Sequence, residues 1–264
     1  MALSKMITKQ SLIEAFHSLG IESGTRLVVH SALRNLGPVE GGADTVLDAL
    51  LECIGRSGLL VVPTFTYNND VFDPEVTPSR TGILTEILRK RHGAVRSLHP
   101  THSVAAIGEG AATICEGHHK VPALGMNSPL DRLAKMGGGV LLLGMGHTSN
   151  STVHVGEAYA RVPYLDIPMN PHRPSRIPVV GSVRLEVDLY DPPGCSRAFG
   201  VIEASLRQRR AIRDRLVGQG LVQWMLGQEV IASTMDLLHQ DAAALLCNDP
   251  GCYRCSRGRE RLGR

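Results

Sequence analysis

A chain of 264 residues, 43% hydrophobic and 20% charged, has the composition of a globular protein with a full core, and its length suits a single domain over residues 1–264. No run approaches the ~18 consecutive apolar residues of a membrane span, and Met1 to Gln10 lacks the apolar centre of a secretion signal, so a cytoplasmic protein without a membrane partner is expected. The net charge is only +3, its basic excess lies in Arg207 to Arg215 and Arg254 to Arg264, and ten aromatic residues leave few stacking platforms, which argues against nucleic acid.

In chain order, Ser11 to Leu19 reads as a helix ended by Gly20, and Arg26 to His30 as a short strand. Ala43 to Ile54 carries apolar residues at helical spacing, and Leu59 to Val62 is a second strand stopped by Pro63, giving a βαβ pattern. Leu84 to Arg91 is a predicted helix, Ser103 to Ile107 a strand, Ala111 to Glu116 and Ser128 to Lys135 helices, and Val140 to Leu143 a buried strand. This alternation predicts an α/β fold of three layers, α/β/α, around a mixed, largely parallel sheet. Beyond Pro163 prolines punctuate a loop, and Val179 to Leu189 alternates like a half-exposed strand, an antiparallel addition to the sheet in the C-terminal half. Phe199 to Arg215 and Ser233 to Leu246 are predicted helices, followed by a cysteine-rich tail at 247–264. There is no internal repeat and no glycine-rich phosphate or dinucleotide fingerprint.

Chemistry concentrates after the buried strand. In Ser149 to Glu157, Ser151 or Thr152 is expected to cap a helix on which His154 and Glu157 stand at i and i+3, a base beside the carboxylate that orients it. His30, Ser31, Ala32 and Leu33 end the first strand, and small residues there expose backbone N–H groups ahead of a helix, suited either to an anion or to a plain turn. Arg96 to Val104 holds two histidines before a strand; His99 and His102 read as hydrogen-bonded structural residues rather than metal ligands, and His118, His119 and His147 as solvated loop positions. Tyr67 to Glu75 gathers acids, amides and aromatics, either a substrate lip or a solvated loop. Cys247, Cys252 and Cys255 have metal-like spacing but supply three ligands where a structural zinc wants four, so Cys195 or a histidine would have to join them; otherwise they are reduced thiols in a loose tail.

Taken together, the collinear run His30-Ser31-Ala32-Leu33, Val62-Pro63-Thr64-Phe65, Pro78-Ser79-x-x-Gly82, Arg96-Ser97-x-His99-Pro100-Thr101-His102-Ser103-Val104-Ala105-Ala106-x-Gly108, Ser128-Pro129-Leu130, Leu141-Leu142-Leu143-Gly144 and Thr152-x-His154-x-x-Glu157 resembles the antibiotic N-acetyltransferases, the aminoglycoside 3-N-acetyltransferases, over roughly residues 10 to 255. The resemblance implies transfer of an acetyl group from acetyl-CoA to a ring amine of an aminoglycoside. An ammonium cannot attack a thioester, and an imidazole with a free pKa of about 6.5 suits its deprotonation, so His154 is expected as general base and Glu157 as its orienter. Acetyl-CoA is then expected at His30, Ser31, Ala32, Leu33, Thr101, Ser103 and Val104, with the oxyanion held by backbone N–H groups of one of these loops. A polycationic substrate calls for acid, and Tyr67, Asn69, Asp70 and Asp73 are expected to form its lip. No cysteine lies in these motifs, so direct transfer without a metal is expected. Three rivals remain: a member of the same family acting on an amine other than an aminoglycoside; a metal-dependent hydrolase, which the lack of His-x-His or His-Glu-x-x-His disfavours; and a non-catalytic binder of CoA, polyamines or a metal.

Overall fold

The computed structural model describes residues 6–67, 69–190 and 193–264. Its elements are α1 (Lys9–Ser18), β1 (Arg26–Ser31), α2 (Gly42–Ile54), β2 (Leu59–Pro63), α3 (Ile83–Lys90), β3 (Val95–Arg96), β4 (Val104–Gly108), α4 (Ala111–Cys115), α5 (Pro129–Lys135), β5 (Gly139–Leu143), α6 (Thr152–Tyr159), β6 (Arg176–Val179), β7 (Leu185–Asp188), α7 (Ile202–Gln208), β8 (Arg213–Val217), β9 (Gly220–Leu226), α8 (Gly227–Gln240) and α9 (Tyr253–Arg261). Local chemistry sets several ends: Thr8 and Ser11 exchange side-chain and backbone hydrogen bonds at the start of α1, and Ser128 caps α5 with Pro129 in its first turn.

A seven-stranded sheet runs in the order β3-β4-β2-β1-β5-β9-β8. Successive side chains of a strand point to opposite faces. Leu27 and Val29 of β1 therefore join Leu60, Leu141 and Trp224 in one core with α1, α2 and α3, while Val28 joins Val61, Leu142 and Met225 in the other with α4 to α8. These are the three expected layers. The central strands β2, β1 and β5 are parallel, in register Val28↔Val61 and Val28↔Val140.

The sheet is less parallel than expected, because β4 runs antiparallel to β2 and β9 antiparallel to β5. A parallel neighbour needs a long crossover. Here α3 instead feeds the short β3, which doubles back into antiparallel β4, and the β8–β9 pair is a hairpin closed by Gly218 at φ +59° and Gln219. That hairpin is the antiparallel addition of the C-terminal half. The segment expected to supply it, Val179 to Leu189, forms instead the separate β6–β7 hairpin, broken at Gly181 (φ +98°) and packed with Phe72 in a small apolar cluster.

Two further expectations change. The predicted helix Phe199 to Arg215 ends at Gln208, since Arg210 takes the left-handed conformation (φ +55°) and turns the chain into β8. The predicted helix Ser233 to Leu246 is shifted to Gly227–Gln240, and the cysteine tail, read as either a metal site or a loose segment, contains α9.

α6 packs against α8 and α5 and is buried from Thr152 to Glu157. Gly156 permits that approach: a Cβ there would lie 2.4 Å from Thr234 Cβ. Gly156→Ala should therefore force α6 and α8 apart and lower the unfolding free energy in urea by about 1–3 kcal/mol, the usual range for an overpacked core; the glycine's freedom in the unfolded chain acts the other way and is smaller. An unchanged urea midpoint would refute this account of the contact.

Candidate functional site

β1, β2 and β5 point their carboxyl ends the same way, and the two neighbours of β1 are reached over opposite faces of the sheet: α2 joins β1 to β2 on one face, and α4 and α5 join β4 to β5 on the other. Ligands of open α/β sheets bind outside such a switch point. A cleft of about 980 Å³ opens there, lined by His30 and Ser31 at the end of β1, Pro63 and Phe65 after β2, Thr101 and His102 before β4, and Thr148 to Ser151 with His154 after β5. Its remaining wall comes from the proline-rich loop, Met169 to Pro174, and from Pro193 to Arg197.

On α6, His154 and Glu157 are 8% and 2% exposed and joined by a 2.6 Å hydrogen bond between Nδ1 and Oε2. A carboxylate only accepts, so it holds the ring proton on Nδ1 and leaves Nε2 with its lone pair. Phe199 packs against the imidazole with centroids 4.7 Å apart, fixing the ring's plane. The start of α6 departs from expectation: Ser151 occupies the cap position without a side-chain bond, and Asn150 Oδ1 accepts the Thr152 N–H.

Of the residues expected to hold the acyl donor, His30, Ser31 and Thr101 line the cleft. Ala32 and Leu33 do not; Leu33 packs against the α2-side core. Ser103 and Val104 are buried behind it, Val104 opening β4 and the Ser103 hydroxyl bonding to Thr64 and receiving Arg96 Nε. The N–H groups of Ala32, His102 and Val104 are already given to Leu143 O, His99 Nδ1 and the Ser97 hydroxyl, which removes them as oxyanion donors.

Among the lip residues, Tyr67, Asn69 and Asp70 line the cleft, while Asn68 lies outside the described residues. Tyr67 takes φ +61°, a conformation rare for a side-chain-bearing residue, held by its N–H to Thr101 O and by edge contacts to Phe65 and His102. Asp73 is not at the lip; its carboxylate accepts the N–H groups of Glu75 and Val76 and so shapes the loop. Arg96, half-buried over the Phe72 ring, bonds to Pro74 O and Thr64 O and ties this loop to the sheet. The lip is thus less acidic than expected, with Asp70 facing a cleft that also contains Arg80, Arg173 and Arg197. Arg80 occupies a variable position of Pro78-Ser79-x-x-Gly82, while Arg173 and Arg197 lie in segments without a motif, of which only the proline-rich texture of 163–178 marked one as a loop.

Of the three histidines expected in solvent, His118 and His147 are inside and His119 is half-buried. His118 is buried, its Nε2–H donating to Ala123 O and its Nδ1 accepting from the Ser97 hydroxyl, and His147 is buried beside Asn150. His99 is buried and hydrogen-bonded, its Nδ1 accepting the His102 N–H and its ring 4.9 Å from His118, whereas His102, bonded through Nδ1 to the Thr101 hydroxyl, also lines the cleft. Burial pushes His30 down to about 4 and His118 to about 3; burial, with charge at His154 and His118, pushes His102 to about 3; and burial with the neighbouring histidines holds His99 well below its ordinary value.

Between the unfolded value near 6.5 and these lowered values, the unfolded chain binds more protons than the native one, so stability is complete above about pH 7 and is lost as pH falls. Urea unfolding should show a steady decline from about pH 6.5 to 4, each imidazole adding a slope of up to about 1.4 kcal/mol per unit. Equal stability at pH 7 and pH 5 would contradict it.

The four cysteines Cys195, Cys247, Cys252 and Cys255 come together, their sulfurs all within 4.8 Å of one another.

A family model described as aminoglycoside 3-N-acetyltransferase matches residues 28–239. The chain is 29% identical over 255 residues to aminoglycoside N(3)-acetyltransferase IV of Salmonella sp, covering 95% of both chains. It is 34% identical over 180 residues to aminoglycoside N(3)-acetyltransferase III of Salmonella sp, covering 60% of this chain and 63% of that one. The crystal structure of a histidine-to-alanine mutant of the aminoglycoside acetyltransferase AAC(3)-IVa, in complex with a gentamicin, superposes with a TM-score of 0.86 at 26% identity, covering 98% of this chain and 99% of that one. With its fold, its buried His-Glu pair and this match over most of its length, the chain belongs to the aminoglycoside 3-N-acetyltransferase family of acetyl-transferring, antibiotic-modifying enzymes.

Proposed function

We propose that this cleft transfers the acetyl group of acetyl-CoA directly to the 3-amino group of an aminoglycoside, with His154 as general base and Glu157 as its orienter. The observation that carries the reading is the 2.6 Å His154–Glu157 hydrogen bond beside a cleft of about 980 Å³. That volume is at the upper end for one drug-sized ligand, and it suits two substrates meeting. His154 Nε2 accepts the proton that the amine must lose to become a nucleophile, and the carboxylate of Glu157 stabilises the imidazolium that results. The donor is held from His30, Ser31 and Thr101, and the guanidinium groups of Arg80, Arg173 and Arg197 offer partners for its phosphates. Tyr67, Asn69 and Asp70 receive the polycation, as the gentamicin complex of the related enzyme suggests for a cleft of this fold.

Direct transfer is favoured over an acyl-enzyme by the state of the thiol in the cleft. Cys195 is buried, with its sulfur within 4.8 Å of those of Cys247, Cys252 and Cys255, and a thiol drawn into that cluster is not poised to attack a thioester.

The test is release of free CoA thiol from acetyl-CoA against a panel of aminoglycosides. His154→Ala should lower kcat by about 10²–10⁴-fold with CoA affinity nearly unchanged, since general-base catalysis contributes in that range; near-normal kcat would end the role. Glu157→Gln should be milder because the imidazole survives.

Asp70→Asn should raise KM for the aminoglycoside a few-fold at low salt and leave KM for acetyl-CoA alone, an exposed pair being worth about 0.2–1 kcal/mol. Asp73→Asn should leave both constants near wild type, because that carboxylate is engaged with the backbone of its own loop. Equal effects of the two variants would show that the lip is built otherwise.

A further inference from the structure

We propose that Cys195, Cys247, Cys252 and Cys255 form a tetrathiolate zinc site, which anchors α9 and the C-terminal tail to the wall of the cleft. The four sulfurs converge within 4.8 Å of one another, and all four residues are buried. A tetrahedral zinc with Zn–S bonds near 2.3 Å spaces its sulfurs by about 3.8 Å, so the cluster needs only a small contraction around the ion. Three of the ligands have tight spacing, Cys247-x4-Cys252-x2-Cys255, and the fourth arrives from 52 residues earlier than Cys247. The other two cysteines, Cys53 on α2 and Cys115 on α4, lie apart from it.

The surroundings suit thiolates rather than an apolar packing of thiols. Cys247 N–H donates to Cys255 Sγ at 3.3 Å, and Cys252 and Cys255 lie at the start of α9, where the helix dipole favours negative charge. Arg197 and Asp249, each two residues beyond a ligand, form an ion pair, and Arg259 Nη1 and Nη2 bond to the carbonyls of Cys247 and Leu246. All six cysteines are free thiols, and four sulfurs drawn to a common centre differ from two separate pairs awaiting oxidation. Soft thiolates in a closed tetrahedral set select zinc, which displaces the thiol protons as it binds.

Placement gives the site its consequence. Cys195 lies in the Pro193 to Arg197 wall of the cleft, and Pro193 and Gly194 also line a smaller void of about 90 Å³ behind His154 and Glu157. Arg254, from the first turn of α9, packs on Gly194, where a Cβ would lie 2.0 Å from its Nε, and it bonds to Leu165 O and Ile167 O. A metal bound here therefore fixes wall, tail and proline-rich loop to one another without touching the reacting atoms.

Metal content of the full chain, purified without chelator from zinc-supplemented culture, tests this independently of any acetyltransferase activity. About one zinc per chain is expected. Cys252→Ser and Cys255→Ser should each lose it, while Cys115→Ser retains it. Should those variants fail to fold, the wild-type chain still decides: cobalt exchanged for zinc should give the intense thiolate charge-transfer and tetrahedral ligand-field bands, and a strong chelator should lower Tm. A folded chain with less than about a tenth of an equivalent of zinc and a Tm indifferent to chelator overturns the proposal. So does mass spectrometry showing two disulfides among these four residues, or iron in place of zinc.

Discussion

Burial of α6 along Thr152 to Glu157 is the constraint from which the rest of the site follows. Packed against α8 and α5, Glu157 has almost no solvent to satisfy it, and a carboxyl group withdrawn from water costs several kcal/mol unless a donor is supplied. Glu157 finds its donor one turn away in His154 Nδ1, so the same hydrogen bond that makes the burial tolerable also sets the ring's tautomer. Tyr159, on the last turn of α6, reaches Asp131 on α5, whose carboxylate also accepts Asn127 N–H and pairs with Lys135. Gly156, between the two site residues, lets α8 close against the helix.

Behind the cleft-lining Thr101 and His102 lie buried, hydrogen-bonded imidazoles. Ser97 accepts Val104 N–H and donates to His118, whose other nitrogen donates to Ala123 O, so each polar atom along that path has a partner. Arg96 performs the equivalent service one residue earlier, spanning the ends of β2 and β4 and the loop after β2. Buried networks of this kind hold one geometry when every member is partnered. The cleft surface that they support includes Tyr67 in its left-handed conformation, which survives because the surrounding backbone bonds determine it.

Charge in the cleft is mixed rather than uniformly acidic. One carboxylate at the lip and arginines from three separate segments give the cleft both signs of charge. Two of those arginines, Arg173 and Arg197, come from the proline-rich loop and from the segment that carries Cys195, so segments late in the chain supply much of the cleft's positive charge.

Local sequence determined the elements whose residues carry their own instructions. The apolar runs Leu27–Val29, Leu59–Val62 and Val140–Leu143 could only be inner strands, and the i,i+3 spacing of His154 and Glu157 placed both on one helical face before any tertiary contact was known. The layers followed from the alternation of strands and helices. Direction and neighbourhood did not, because whether β4 pairs with β2 parallel or antiparallel depends on where the short β3 turns back, and that turn has no signature of its own. The β8–β9 hairpin was obscured by a basic stretch, Arg207 to Arg215, that reads equally well as an exposed helix until the left-handed Arg210 breaks it. Burial of His118 and His147, the retreat of Ser103 and Val104 behind the cleft, and the meeting of Cys195 with the tail cysteines were decided by tertiary structure alone. Each is a relation between segments distant in the chain, and residue type and spacing report only on neighbours in sequence.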